Sequence, residues 1–154
     1  MYKTPKTYFL VSGSSEGYTP LNAFDGALLN AGIGNTNLVK VSSIIPPHSK
    51  ETQPITFPQG TIVPTAYASI SSDIPGEIIS AAVAIALPKD DDQPGLIMEY
   101  SARGRREEIE LIARNMAREG MKMRKQGMRE IKSISVEYKV KKIGAAFAAV
   151  ILWQ

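Results

Sequence analysis

A chain of 154 residues, 44% hydrophobic and 21% charged, has the length and balance of one globular domain, which excludes a disordered chain, a collagen-like rod and a coiled coil. It has no cysteine, so a disulfide scaffold, a thiolate metal site, an iron–sulfur cluster and a cysteine nucleophile are excluded as well. The net charge of +3 divides unevenly: residues 1–100 carry five Lys and Arg against nine Asp and Glu, and residues 101–154 carry 13 against six.

In residues 1–17 only Phe9, Leu10 and Val11 form a continuous apolar run, too short for a signal-peptide core, and residues 143–154 are too few to span a bilayer. A cytoplasmic protein without membrane contact is expected. Tyr8 to Ser12 reads as a first strand, and the small polar residues from Ser12 to Gly17 read as a loop. Thr19 is a good N-cap with Pro20 at the first helical position, Leu21, Phe24 and Leu28 share a face, and Gly32 is a terminator, so a helix is predicted over 20–30. A Gly/Asn-rich turn leads to a β segment over 38–45 that Pro46 and Pro47 stop, followed by a polar, proline-containing excursion over 48–59.

Residues 61–71 and 78–87 read as strands and as candidates to pair with each other. A charged turn at 89–95 precedes a short strand at 96–100. From about Arg105 to Lys125 the period changes to 3.6, with Ile109, Ile112, Met116 and Met123 on one stripe. Residues 132–140 and 145–153 then alternate with period two. Because most strands follow one another directly, the whole chain, 1–154, is predicted to be a single α+β domain with mixed or antiparallel sheets. The alanines of 81–86 and 145–149 point to close packing of neighbouring layers.

Several short motifs carry possible chemistry. Gly13-Ser14-Ser15-Glu16-Gly17 matches G-x-S-x-G between a predicted strand and a predicted helix, with Asp25 and His48 following in the hydrolase order. The chain is small for that fold, however, and Asp25 falls inside the next helix, so a tight strand-to-helix turn of small residues is the plainer reading. Gly32 and Gly34 lack the third glycine of a dinucleotide fingerprint and follow a helix instead of opening one. Asp90, Asp91 and Asp92 lack the alternating spacing of a calcium loop, and His48 is the single histidine, so no metal site is expected. The basic helix interleaves its cations with Glu107, Glu108, Glu110 and Glu119 and has no aromatic residue for base stacking. It reads as a salt-bridged, solvated face, with no nucleic-acid partner.

Val41-Ser42-Ser43-Ile44-Ile45-Pro46-Pro47 places a serine pair at the end of an apolar β segment. In a strained backbone the second serine of such a pair can attack the preceding carbonyl and turn the amide into an ester. Elimination leaves dehydroalanine, which hydrolyses to a pyruvoyl group and ammonia. An amide donor such as Asn37 can polarise the attacked carbonyl or hold its oxyanion.

The stretch from Val11 to Pro47, VSGSSEGYTPLNAFDGALLNAGIGNTNLVKVSSIIPP, with PTAYASISSDIPGEIISAAVAIALPKD, GLIMEY and the closing GAAFAAVILW, resembles the pyruvoyl-dependent arginine decarboxylases. The resemblance runs nearly end to end and implies a four-layer αββα sandwich. It implies self-cleavage between Ser42 and Ser43, giving a small chain of residues 1–42 and a large chain of residues 43–154 whose Ser43 becomes the covalent pyruvoyl cofactor. It implies Asn37 as the residue assisting cleavage, Glu99 as the proton donor of turnover, and Asp25, with the new carboxylate of Ser42, as substrate-binding groups. A Schiff base between L-arginine and the pyruvoyl ketone would lose carbon dioxide and release agmatine for polyamine biosynthesis. The assembly implied is a homotrimer or a dimer of trimers with sites between subunits, Glu99 coming from a different subunit than Ser43. Two alternatives keep the fold: a pyruvoyl decarboxylase of another amino acid, and an unprocessed, non-enzymatic member.

Overall fold

The computed structural model describes residues 3–154; Met1 and Tyr2, which open the expected domain and the expected small chain, lie outside the described residues. In chain order the elements are β1 (Thr7–Glu16), α1 (Pro20–Asn30), β2 (Asn37–Lys40), β3 (Ile44–Ile45), β4 (Lys50–Glu51), β5 (Ile62–Ser72), β6 (Ile78–Pro88), β7 (Gly95–Arg103), α2 (Arg106–Met123), β8 (Met128–Lys139) and β9 (Gly144–Trp153). They form a first sheet in the order β2-β5-β9-β1-β4 and a second in the order β3-β7-β6-β8. The first sheet is mixed, with β2 parallel to β5 and β4 parallel to β1, while the second is antiparallel throughout.

The period-two alternation of the strands sets the layers. In β9, Ala146, Ala148, Val150 and Leu152 face the second sheet, and Ala145, Phe147, Ala149 and Ile151 face α1. In β6, Ile79, Ala81, Val83 and Ile85 enter the space between the sheets, and Ala82, Ala84 and Ala86 turn to α2. Both strands are covered on both sides, so the residues between the alternating positions are buried as well. The result is a four-layer αββα sandwich, the α+β architecture expected. Each fully buried aliphatic side chain between the sheets, such as Val83 or Ile85, contributes roughly 1.5–3 kcal/mol.

α1 follows its local signals closely. The Thr19 hydroxyl accepts from the Asn22 N–H, Pro20 occupies the first turn, and the helix stops where Gly32 takes φ +85°. There Gly32 N–H donates to Leu29 C=O and Ile33 N–H to Leu28 C=O, the double bond of a Schellman ending.

Four expectations are corrected. Residues 12–16 are not a loop: β1 runs on to Glu16 because β9 supplies a partner for every residue, Gly13 opposite Phe147 and Ser15 opposite Ala145. The segment 38–45 is two strands, broken at 41–43, that belong to different sheets. β5 and β6 do not pair with each other; they lie in opposite sheets, β5 against β9 and β6 between β7 and β8. On α2 the buried stripe is Ile109, Ala113, Ala117, Gly120 and Met121, whereas Ile112 is 38% and Met123 82% exposed. Small residues let α2 approach the alanine face of β6, a contact that large side chains would hold open. No helix among the described residues is long and apolar enough to cross a membrane.

Candidate active site

The serine pair lies where the chain leaves one sheet for the other. β2 ends at Lys40, paired with Thr65 of β5, and the Val41 N–H still donates to the Thr65 C=O at 3.1 Å. Three residues later β3 pairs with β7, Ile44 opposite Leu96, and the Ser43 C=O accepts the Ile97 N–H at 2.7 Å. The Ser42–Ser43 peptide therefore spans the gap between two anchored segments, with Ser42 exposed and Ser43 half-buried. A break at this bond leaves residue 41 held to the first sheet and residue 43 held to the second. The donated hydrogen bond also polarises the carbonyl of residue 43 itself. These features fit a pyruvoyl group at position 43, whose new chain end needs anchoring and whose electron sink includes that carbonyl.

A cavity of about 370 Å³, lined by Val39, Val41, Ile44, Pro46, Pro64 and Leu152 among others, reaches Ser42 from one side, and its walls are apolar. A second cavity, about 420 Å³, is lined by Lys40, Val41, Ser42, Ser43, Ile97, Met98, Glu99 and Met116. Glu99 enters through the alternation of β7. Ile97 packs between the sheets and the Ser101 hydroxyl donates to the Ser69 C=O of β5, so Glu99 shares the face that looks toward the first sheet. Burial pushes the Glu99 carboxyl above the usual carboxylate range, and Lys40, its Nζ 3.5 Å from Oε1, opposes the rise without cancelling it. Lys40 also lies 4.7 Å from the centre of the Tyr67 ring.

One chain brings Ser42, Ser43 and Glu99 to the lining of one cavity, whereas the resemblance implies a Glu99 from another subunit; the β3–β7 pairing sets residue 43 beside residues 95–97 of the same chain. Asn37 and Asp25 lie elsewhere in that chain. Asn37 opens β2, its side-chain amide donates to the Gly60 C=O at 3.1 Å, and five extended residues, about 16 Å, separate it from Ser42. Asp25 is exposed on α1, which packs on the face of the first sheet turned away from the second. Lys40 was not among the residues singled out in the sequence. Its signal was its place two residues before Ser42, within the segment read as a strand from the sequence.

The other motifs take structural places. Ser15 lies within β1, its hydroxyl donates to the Glu16 C=O, and a side chain at Gly26 of α1 would press on it, so no nucleophile elbow forms. Glu16 instead accepts the backbone N–H groups of Lys141, Lys142 and Ile143, and these donors hold its carboxyl below the usual range against the opposing effect of burial. In the 89–95 turn, Asp91 pairs with Arg129 at 3.2 Å and Asp92 with His48 at 3.0 Å. Along α2, Lys122 pairs with Glu119, and Arg114 and Glu110 both bond Ser133 of β8.

Known proteins match this chain over nearly its whole length. A family profile described as pyruvoyl-dependent arginine decarboxylase matches residues 7–154. A protein of that name from Methanocaldococcus jannaschii is 55% identical over 152 residues, 99% of this chain and 92% of that protein. Those from Methanococcus aeolicus and Pyrococcus abyssi are 51% and 46% identical, each over 99% of this chain and over 92% and 98% of their own lengths. Agreement at that level, with the serine pair set across the gap between the sheets, means that the chain belongs to the pyruvoyl-dependent arginine decarboxylase family.

Proposed function

We propose that the chain cleaves itself between Ser42 and Ser43 and then decarboxylates L-arginine to agmatine and carbon dioxide. The observation that carries this reading is the cavity in which the Ser42–Ser43 bond and the half-buried carboxyl of Glu99 meet. In the cleavage, the Ser43 Oγ attacks the Ser42 carbonyl and the amide becomes an ester. Loss of the Ser43 α-proton expels the Ser42 carboxylate and leaves dehydroalanine at residue 43. Addition of one water and loss of one ammonia convert that residue to a pyruvoyl group. Its ketone, conjugated to the residue-43 amide, supplies the electron sink for breaking the bond to the carboxylate.

Glu99 holds the proton that the substrate α-carbon receives after carbon dioxide leaves, a task that needs the acid form near operating pH and hence the raised affinity for protons that burial provides. Val41, Ile97, Met98 and Met116 limit water around the reacting centre. Asp25 accepts two parallel hydrogen bonds from the guanidinium, a geometry that favours arginine over the point charge of lysine or ornithine. Since Asp25 and Asn37 stand away from the cavity of their own chain, each site is completed by the Asp25 and Asn37 of a neighbouring subunit in a homotrimer or a dimer of trimers.

Intact mass under denaturing conditions tests the first half of this reading. Two chains are expected, split after Ser42, with the larger one lighter by one ammonia than hydrolysis alone would leave it. Incubation with arginine, lysine, ornithine and histidine tests the second half, with carbon dioxide and agmatine expected from arginine. A single uncleaved chain, or release of carbon dioxide from another amino acid in preference to arginine, overturns it.

A further inference from the structure

Among the described residues lining the cavity with the serine pair, two are charged, Glu99 and Lys40, and the reading above gives Lys40 no task. Lys40 ends β2 at the edge of the first sheet, while Glu99 comes from β7 of the second, so their contact at 3.5 Å crosses the sandwich at its open edge. The other groups around Glu99 leave this pair isolated. β6 brings Val83 as its register partner, α2 brings Met116, the crossing segment brings Val41, Ser42 and Ser43, and β5 brings the Tyr67 ring against Lys40. Cleavage disturbs the pair, because it turns the neutral carbonyl of Ser42, a residue that lines the same cavity two positions from Lys40, into a carboxylate.

We propose that Lys40 is a positioning residue that holds the Glu99 carboxylate in the uncleaved chain and turns to the new carboxylate of Ser42 once the chain is split, an inference that rests on the self-cleavage proposed above. Before cleavage the ammonium favours the ionised Glu99 and so limits the rise that burial produces. After cleavage the Ser42 carboxylate competes for the ammonium and, as a like charge nearby, itself disfavours ionised Glu99. Both effects act in one direction. The event that makes the reactive ketone thereby also arms the proton donor.

The test is a carboxyl-carbon NMR titration of Glu99 in substrate-free protein, its resonance assigned with Glu99→Gln. Cleaved wild-type protein is compared with the uncleaved Ser43→Ala chain, and Ser43→Gly serves as the second uncleaved form. Glu99 is expected to titrate at least about one pH unit higher in the cleaved protein, the shift a nearby charge produces. Lys40→Met in the uncleaved background raises the Glu99 value toward that of the cleaved protein, and Lys40→Arg restores the low one. Equal titration in cleaved and uncleaved protein, or an uncleaved Lys40→Met chain whose Glu99 does not move, overturns the proposal. Intact mass accompanies each titration. Wild-type protein that stays one chain overturns the functional reading and this inference with it. A protein that splits and decarboxylates arginine while its Glu99 titrates unchanged overturns this inference alone.

Discussion

The proton-donor role proposed for Glu99 makes two demands that conflict in free solution: the group must be a carboxylic acid to give a proton, yet water keeps an exposed carboxyl ionised at neutral pH. Burial resolves the conflict by raising its affinity for protons, with Lys40 as the counterweight. Decarboxylation is therefore expected to fall as pH rises through the raised Glu99 value, and a kcat–pH profile checks it. Glu99→Gln is expected to cleave normally and to lose roughly 10²–10⁴-fold in kcat, the usual worth of a placed proton donor. Stability follows the same shift. The folded chain keeps the Glu99 proton at a pH where the unfolded chain has released it, so stability is fullest below the ordinary carboxylate value and declines as pH rises toward the raised one. Glu99→Gln removes that decline, and its melting temperature is expected to exceed that of wild type by on the order of 2 °C at neutral pH, with the difference closing on acidification. Ser43→Ala lacks the attacking hydroxyl and is expected to run as one chain by intact mass.

At the scale of elements, the glycines of 13–17 explain why the hydrolase motif is a false lead. A Cβ on Gly13 would meet the Ala27 C=O at 2.3 Å and the Ala31 N–H at 2.8 Å, both backbone atoms of α1 and its cap that cannot swing aside. The small residues of β1 exist to let α1 lie against the first sheet. Gly13→Ala is expected to cost about 1–3 kcal/mol in urea unfolding, the range for overpacking a tight contact. α1 itself was fully legible, since Thr19, Pro20 and Gly32 act on the backbone within a few residues of themselves. The end of β1 was not, because Ser12 to Glu16 have the composition of a loop and become strand only opposite β9, more than 120 residues away in the chain. The buried stripe of α2 was likewise misread toward Ile112 and Met123, since which face of a helix is buried depends on what it meets, and β6 presents alanines.

For the whole molecule, the proposed division of the site between subunits has a direct test. Glu99→Gln and Asp25→Asn chains should each be inactive alone. When they are unfolded, mixed in equal amounts and reassembled, about a quarter of the shared sites combine an intact Glu99 with an intact Asp25 from its neighbour. Recovery of about a quarter of wild-type activity is expected, and no recovery at all would place both residues in one subunit's site.

What the sequence determined by itself was the local: the helix over 20–30, the strands over 78–87 and 145–153, and a resemblance long enough to be specific. Only the tertiary structure decided that residues 38–45 are divided between two sheets, that Ser43 is tied to Ile97 and so faces Glu99 of its own chain, and that Lys40 stands against that carboxyl. The reason is one of range. Caps and turns act through neighbouring peptide groups, whereas register, sheet membership and the meeting of charges are set by contacts between segments far apart in sequence, whose energies no local pattern contains.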